Sequence, residues 1–128
     1  MTRQAITGDA PTSSLPFSPA VRAGDLVFVS GQGSVDDRGS YVSGDFEAEL
    51  TRSFDNVERV LAAAGGTLQD VVQVRGYVAD PADLPHYNAI YATRFDRPYP
   101  ARTTIVTGLG GLKVEIDVIA YLPADAGG

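Results

Sequence analysis

The segment GDFEAELTRSFDNVERVLAAAGG, residues 44–66, constrains the fold more than any other part of the chain. Its apolar residues recur at helical spacing and share one face: Leu50, Phe54, Val57 and Leu61. Asp45 is placed to cap the start of this helix, and acidic residues suit its first turn at Glu47 and Glu49. Gly65 and Gly66 are placed to end it with a left-handed turn. The apolar face of such a helix needs a second layer to pack against.

Strand patterns supply that second layer. The segment 25–33 is an apolar run that ends in a glycine turn, and segment 35–42 has the composition of a turn between two strands. Segment 70–78 has the alternation of a half-buried strand, in which successive side chains face opposite sides. We predict that one side is formed by Val72, Val74, Gly76 and Val78. A second helix over residues 80–95 is predicted to carry one stripe: Leu84, Asn88, Tyr91 and Phe95. The last two strands are RTTIVTG and LKVEIDVIAYL.

This order of elements predicts an α+β fold, in which two helices pack on one face of a mixed sheet. The other face of the sheet then carries Tyr77, Ile119 and Tyr121 among charged residues. Other copies of the chain are the natural cover for such a face, so a closed homo-oligomer is expected.

Composition narrows the classes of function. The 128 residues fit one domain, residues 1–128, with 10 basic and 16 acidic side chains and a net charge of −6. That charge disfavours binding to nucleic acid, which relies on Lys and Arg. With no cysteine and a single histidine, His86, we expect no metal. The sequence shows no apolar run long enough to span a bilayer and no signal-peptide pattern, so we predict a cytoplasmic protein without membrane contact. The tail at residues 123–128 is predicted to be frayed.

Five segments of the chain form an ordered set from about residue 15 to residue 122: LPFSPAVRAGDLVFVSGQ, SFDNVERVLAAAGGTLQDVV, YNAIYATRF, YPARTTIV and KVEIDVIAYL. In sequence and spacing this set resembles the RidA (YjgF) family of reactive intermediate deaminases. The resemblance implies a chorismate-mutase-like fold and a homotrimer with sites between subunits. It also implies hydrolysis of imines and enamines, such as 2-aminoacrylate and 2-iminobutanoate, to 2-oxo acids and ammonia, without a cofactor.

The same resemblance assigns the candidate site. Arg102 falls on the substrate-binding arginine and Glu115 on the glutamate that handles water. The remaining pocket positions are Phe17, Ser30, Gly31, Asn88 and Thr104. Arg102 can hold a carboxylate through two parallel hydrogen bonds, and Glu115 can position or deprotonate a water.

Structural interpretations of these residues stay open. From the pattern alone, Arg102 is an exposed arginine beside an acid, and Glu115 a solvated residue of the outer sheet face. Asn88 can hold local backbone, and Ser30 and Gly31 can simply end a strand. Phe17 and Thr104 stand where relatives often have tyrosine and cysteine. These departures leave two alternatives: a tailoring enzyme for a larger imine, enamine or keto intermediate, and a non-catalytic metabolite-binding module.

Overall fold

The computed structural model describes residues 2–7 and 14–123. Within them lie β1 (Gln4–Ile6), β2 (Ala20–Ala23), β3 (Leu26–Gln32), α1 (Phe46–Ala63), β4 (Val71–Val78), α2 (Leu84–Arg94), β5 (Ala101–Val106) and β6 (Val114–Tyr121). Short 3-10 turns precede β4 and α2. The tail predicted to fray lies outside the described residues from position 124 onward.

The six strands form one mixed sheet in the order β1-β2-β3-β6-β4-β5. Strands β4 and β5 are parallel, and every other neighbouring pair is antiparallel. Both helices cover the same face of this sheet, since α1 packs on β3 and β6 and also contacts α2. The predicted α+β architecture is therefore confirmed, whereas the homotrimer stays a prediction.

Helix α1 has the boundaries that its sequence predicts. The Asp45 side chain accepts a hydrogen bond from the Ala48 N–H at 2.8 Å. At the other end Gly65 adopts a φ of +90°, and the N–H groups of Gly65 and Gly66 bond back to Ala62 and Leu61. These are the two hydrogen bonds of a glycine-ended helix, so the predicted left-handed end is confirmed.

Two predicted faces are wrong in detail. In β4 the register against β6 shifts between Val71 and Gln73, so Val71 is buried while Val72 is 45% exposed. An extra residue in a strand reverses the alternation on one side of it. In α2 the core takes Tyr87 together with Tyr91, so the stripe predicted through Asn88 is displaced and Asn88 is exposed.

The predicted turn at residues 35–42 is present, but it does not join two strands, because β3 precedes it and α1 follows it. A single bridge joins Val35 to Tyr41. The side-chain carboxylate of Asp36 accepts hydrogen bonds from the N–H groups of Arg38 and Ser40 and shapes the turn between them. This turn lies next to the end of β3 and becomes part of the candidate site.

The sheet face away from the helices keeps large apolar side chains in solvent. Those at least one third exposed are Leu26, Phe28, Ile105 and Tyr121. Charged residues of β4 and β6 lie among them, including the ion pair between Arg75 and Asp117. A face of this composition fits the predicted contact with further copies of the chain.

Candidate functional site

A cleft of about 410 Å³ opens beside the end of β3. Three of the predicted site residues line it: Phe17, Gly31 and Glu115. The other described lining residues are Ser14, Leu15, Pro19, Gln32, Gly33, Val35, Arg38, Gly39 and Leu112. The cleft is therefore mostly apolar and contains one carboxylate, which is the composition of a small-molecule site.

A bulge in β3 forms the floor of the cleft. Val29 pairs with Val118 and Gln32 with Ile116, so Ser30 and Gly31 together face one residue of β6. A Cβ on Gly31 would lie 2.6 Å from Oε1 of Glu115, so any larger residue would displace that carboxylate from its place. The bulge thus brings the backbone of β3 against Glu115.

Ser30 supports the cleft from behind. Its hydroxyl donates a hydrogen bond to the carbonyl of Ser18 at 2.6 Å, and its N–H donates to the carbonyl of Pro19 at 2.9 Å. Both groups are therefore engaged with the segment that carries Phe17. In the isolated chain Ser30 positions the wall of the cleft.

Glu115 is a carboxyl group in an unusual environment. It is partly buried, and the hydrogen bonds of the described residues do not include its carboxylate. Burial raises the pKa of Glu115 above its ordinary value of 4.5, and the negative charge of Asp117 raises it further. A carboxyl group of this kind can accept a proton from water and return it to a leaving group.

Arg102 lies in a second group of residues, beside α2. Its Nη2 donates a hydrogen bond to Oδ1 of Asn88 at 2.7 Å. The guanidinium carbon lies 4.9 Å from the ring centre of Tyr91 and 5.3 Å from that of Tyr87. These contacts fix the orientation of the guanidinium, while the salt bridges among the described residues leave its charge without an acidic partner.

Thr104 belongs to this second group. It is placed two residues after Arg102 on β5 and pairs in register with Gly76, against which the Tyr87 hydroxyl packs. The hydroxyls of Tyr87, Tyr91 and Thr104 are buried. The Thr104 hydroxyl lies close enough to that of Tyr87 to lower the Tyr87 pKa, against the larger effect of burial. Burial raises the pKa of Tyr87 to about 12, so this phenol stays protonated at neutral pH.

The two groups lie on opposite faces of the sheet. Arg102 pairs with the buried Val74 and therefore points to the helix side, whereas Glu115 pairs with Tyr77 on the open side. One chain consequently brings together Phe17, Gly31 and Glu115, and separately Asn88, Arg102 and Thr104. Within one chain the two groups therefore do not form a single site.

Two residues that support the cleft escaped the sequence analysis. The side-chain amide of Asn56 donates hydrogen bonds to the carbonyls of Gly33 and Val35, each at 3.0 Å. Glu49 is fully buried and accepts hydrogen bonds from Tyr41 and from Lys113. The available signal was the i, i+4, i+7 spacing of Glu49, Ser53 and Asn56, which forms a polar stripe on the buried side of α1.

The described residues contain no group of three or more His, Cys, Asp or Glu side chains arranged to hold a metal ion. None of the helices in this part of the chain combines the length and hydropathy needed to cross a bilayer. His86 is exposed on α2.

Comparison with known proteins places the chain in a family. Residues 7–122 match the family described as Endoribonuclease L-PSP. A RutC family protein of Pyrococcus horikoshii is 36% identical over 118 residues, which cover 90% of this chain and 94% of that protein. The chloroplastic Reactive Intermediate Deaminase A of Arabidopsis thaliana is 37% identical over 119 residues, covering 91% of this chain and 64% of that protein.

A solved structure gives the same result. RidA from the Antarctic bacterium Psychrobacter sp. superimposes with a TM-score of 0.86 at 33% sequence identity, and the match covers 93% of this chain and 99% of that one. Fold, sequence and the arrangement of segments therefore agree, and the chain belongs to the RidA (YjgF) family.

Proposed function

We propose that this protein hydrolyses imines and enamines derived from 2-amino acids, of the 2-aminoacrylate and 2-iminobutanoate type, to 2-oxo acids and ammonia. The observation that carries the proposal is Glu115, a carboxyl group with a raised pKa in an apolar cleft, in contact range of the Gly31 backbone. The name of the Arabidopsis relative, Reactive Intermediate Deaminase A, supports the same reaction class.

The reaction needs a placed water and a proton carrier. An enamine first takes a proton at its terminal carbon and becomes the iminium form. Glu115 then accepts a proton from water while the water oxygen bonds to the iminium carbon. The resulting amino alcohol receives that proton on nitrogen. Its hydroxyl then gives a proton to Glu115 while the C–N bond breaks, so that the carbonyl forms and ammonia leaves. Glu115 passes this last proton to ammonia or to solvent and returns to its ionised form. Because imines hydrolyse spontaneously, orientation and proximity supply most of the acceleration.

Arg102 is proposed to bind the carboxylate next to the reacting carbon. Its orientation is set in advance by Asn88 and the two tyrosine rings, so little rotamer entropy is lost on binding. Since Arg102 and Glu115 of one chain lie on opposite sheet faces, the proposed site combines Glu115 of one copy with Arg102 of the next. A homotrimer meets this requirement with three equivalent sites.

Arg102→Ala tests the proposal directly. An amino acid dehydratase generates 2-aminoacrylate or 2-iminobutanoate in the assay, and release of the 2-oxo acid is followed. We expect wild type to accelerate release and Arg102→Ala to lose the acceleration. Arg97→Ala is the matched control, because Arg97 stacks on Tyr99 in the preceding loop, away from both groups of site residues. If wild type does not exceed the rate in buffer, the proposal is wrong for these substrates.

A second candidate is a tailoring enzyme of the same fold that acts on a larger imine, enamine or keto intermediate. The wall formed by Leu15, Phe17 and Leu112 favours it, because a four-carbon imine leaves much of a cleft of about 410 Å³ unfilled. Equal turnover of small and bulky imines would argue against it. Carboxylate binding by calorimetry without turnover of any imine would instead support a metabolite-binding module.

The family description names an endoribonuclease, but the net charge of −6 and the single histidine favour a small-molecule substrate over RNA. The cytoplasm stays a prediction, since one relative is chloroplastic and another, mmf2 of Schizosaccharomyces pombe, is mitochondrial.

A further inference from the structure

Arg38 has a distinctive place in the cleft. Among the described residues that line the cleft, Arg38 is the only cation and Glu115 the only acid. Arg38 and Val35 also line the neighbouring surface depression, which includes Arg52 and Arg59. Arg38 therefore lies at the boundary between the two cavities, whereas Glu115 lies beside the β3 bulge.

Neither acid next to Arg38 in sequence forms a salt bridge with its guanidinium among the described residues, although the positive charge of Arg38 contributes to the lowered pKa of Asp36. Asp36 accepts hydrogen bonds from the backbone N–H groups of Arg38 at 2.9 Å and of Ser40 at 3.0 Å, and these bonds lower the pKa of Asp36. Asp37 forms an ion pair with Arg59. The salt bridges among the described residues do not include Arg38. Its guanidinium is thus available to an anion that enters the cleft.

The backbone that carries Arg38 is fixed. The Gly39 N–H donates to the Asp36 carbonyl at 2.9 Å, and the Val35–Tyr41 bridge closes the turn. Asn56 holds the carbonyl of Val35 from the buried side of α1. The guanidinium therefore reaches the cleft from an anchored turn, which reduces the ordering cost of binding a ligand there.

We propose that Arg38 binds a second, distal carboxylate of the substrate, so that 2-imino acids with an acidic side chain are the preferred substrate class. This inference rests on the proposed function. The carboxylate next to the reacting carbon goes to Arg102 of a neighbouring copy, the side-chain methylenes pass along Phe17 and Leu112, and the distal carboxylate meets Arg38. In a chain with a net charge of −6, such a dianion needs a local cation to enter.

The test compares two substrates of matched length. An amino acid oxidase that accepts both amino acids generates imines from 2-aminoadipate and from norleucine, and semicarbazide traps the imine that is not hydrolysed. We expect wild type to hydrolyse the acidic imine with a kcat/KM at least about tenfold higher, as suits a charge-assisted hydrogen bond. In Arg38→Gln the KM for the acidic imine rises by about the same factor, while the neutral imine is unaffected.

Arg52→Gln is the control, because Arg52 lines the neighbouring depression but not the cleft. Equal losses on both substrates in Arg38→Gln would mean that Arg38 binds the shared carboxylate and would overturn the inference. The absence of any preference in wild type would also overturn it, although hydrolysis of the neutral imine would leave the proposed function intact. If neither imine is hydrolysed faster than in buffer, the proposed function itself fails.

Discussion

Asp117 sets the electrostatic environment of Glu115. The two carboxylates share the open face of β6, and Asp117 is held there by Nε of Arg75 at 2.8 Å and by the Tyr77 hydroxyl at 2.9 Å. After burial, the charge of Asp117 is the second cause that raises the pKa of Glu115. Asp117 is thus a positioning and tuning residue for the proposed base.

Asp117→Asn is expected to move the acid limb of activity to lower pH. As a base, Glu115 works only when ionised, so kcat/KM falls as the pH drops through the Glu115 pKa. A neutral amide at position 117 removes the repulsion, lowers that pKa and extends activity downward in pH. The pH profile of kcat/KM measures this shift. Asp96→Asn, a change of an exposed acid outside the cleft, leaves the profile in place. An activity that declines with rising pH through this region would contradict the role of a base.

The limits of sequence-based prediction are visible in single residues. The family resemblance assigned Arg102 and Glu115 to the candidate site, and this assignment stays a prediction. The helix pattern placed Asn88 within the core stripe of α2. The structure buries Tyr87 instead, and Asn88 is exposed beside Arg102. The sequence could not reveal this choice, since a small rotation of the helix about its axis exchanges the two side chains and both stripes contain Tyr91 and Phe95.

At the scale of elements, the β3 bulge determines where Glu115 lies. Gly31→Ala adds a Cβ that would come within 2.6 Å of Oε1, and the flexible end of the Glu115 side chain can move away. We expect kcat/KM to fall by about tenfold to a hundredfold, because small misplacements of a reacting group have effects of this size. The thermal midpoint should change little, since the displaced atoms belong to a side-chain terminus. Circular dichroism and the imine assay measure the two effects separately.

Gly108→Ala is the matched glycine control, because a Cβ there meets no atom within 4 Å among the described residues. Its activity and melting curve should resemble those of wild type. A Gly31→Ala protein with full activity would show that the contact with Glu115 does not matter for catalysis.

Glu49 joins three segments behind the cleft. Its oxygens accept hydrogen bonds from the Tyr41 hydroxyl at 2.5 Å, from the Lys113 N–H at 3.1 Å and from Lys113 Nζ at 3.2 Å. Lys113 directly precedes β6. Beside it, Cδ1 of Leu112 lies 3.0 Å from the position that a Cβ on Gly33 would occupy. The buried carboxylate therefore fixes the start of the strand that carries Glu115.

Glu49→Ala is expected to destabilise the protein by about 3 kcal/mol, because buried donors lose their acceptor. Although burial opposes ionisation, the hydrogen bonds from Tyr41 and Lys113 lower the pKa of Glu49 below 4.5. The contribution of Glu49 is therefore complete above the unfolded pKa and is lost as the pH falls through the lower folded pKa. Urea unfolding at several pH values measures both effects. Glu47→Ala is the control, because Glu47 lies in the same first turn of α1 but is exposed, and it should lower the free energy of unfolding by less than about 1 kcal/mol. Equal losses of stability in the two variants would contradict a special role for Glu49.

Features that depend on local sequence, such as helix caps, were predictable, whereas features that depend on the pairing of strands were not. The caps of α1 follow from Asp45 and Gly65, whose roles depend only on local backbone. The bulge between Val71 and Gln73 depends on the register against β6, which local alternation cannot specify. The bulge at Ser30 and Gly31 is of the same kind, so the sequence pointed to the site but not to its geometry.

At the scale of the whole molecule, the apolar side chains exposed on the open sheet face and the separation of Glu115 from Arg102 both favour association between copies of the chain. Leu26, Phe28 and Tyr121 remain exposed on this face, and Glu115 lies on it without Arg102. Association of copies would cover the apolar side chains and could bring an arginine from another chain to the cleft. When the protein is diluted below the dissociation constant of the assembly, the copies should therefore separate and the activity should be lost with them.

Mixing two inactive variants tests the shared site. Arg102→Ala keeps Glu115, and Glu115→Gln keeps Arg102, so a site between copies regains both groups when each variant supplies one. In a random one-to-one mixture, half of the copies carry each intact group, and about one quarter of the sites of a closed ring are complete. After joint unfolding and refolding, we expect about one quarter of wild-type activity, against a rate near that of buffer for either variant refolded alone. A mixture that forms the same oligomer by size measurement yet stays inactive would show that Arg102 and Glu115 do not act across an interface.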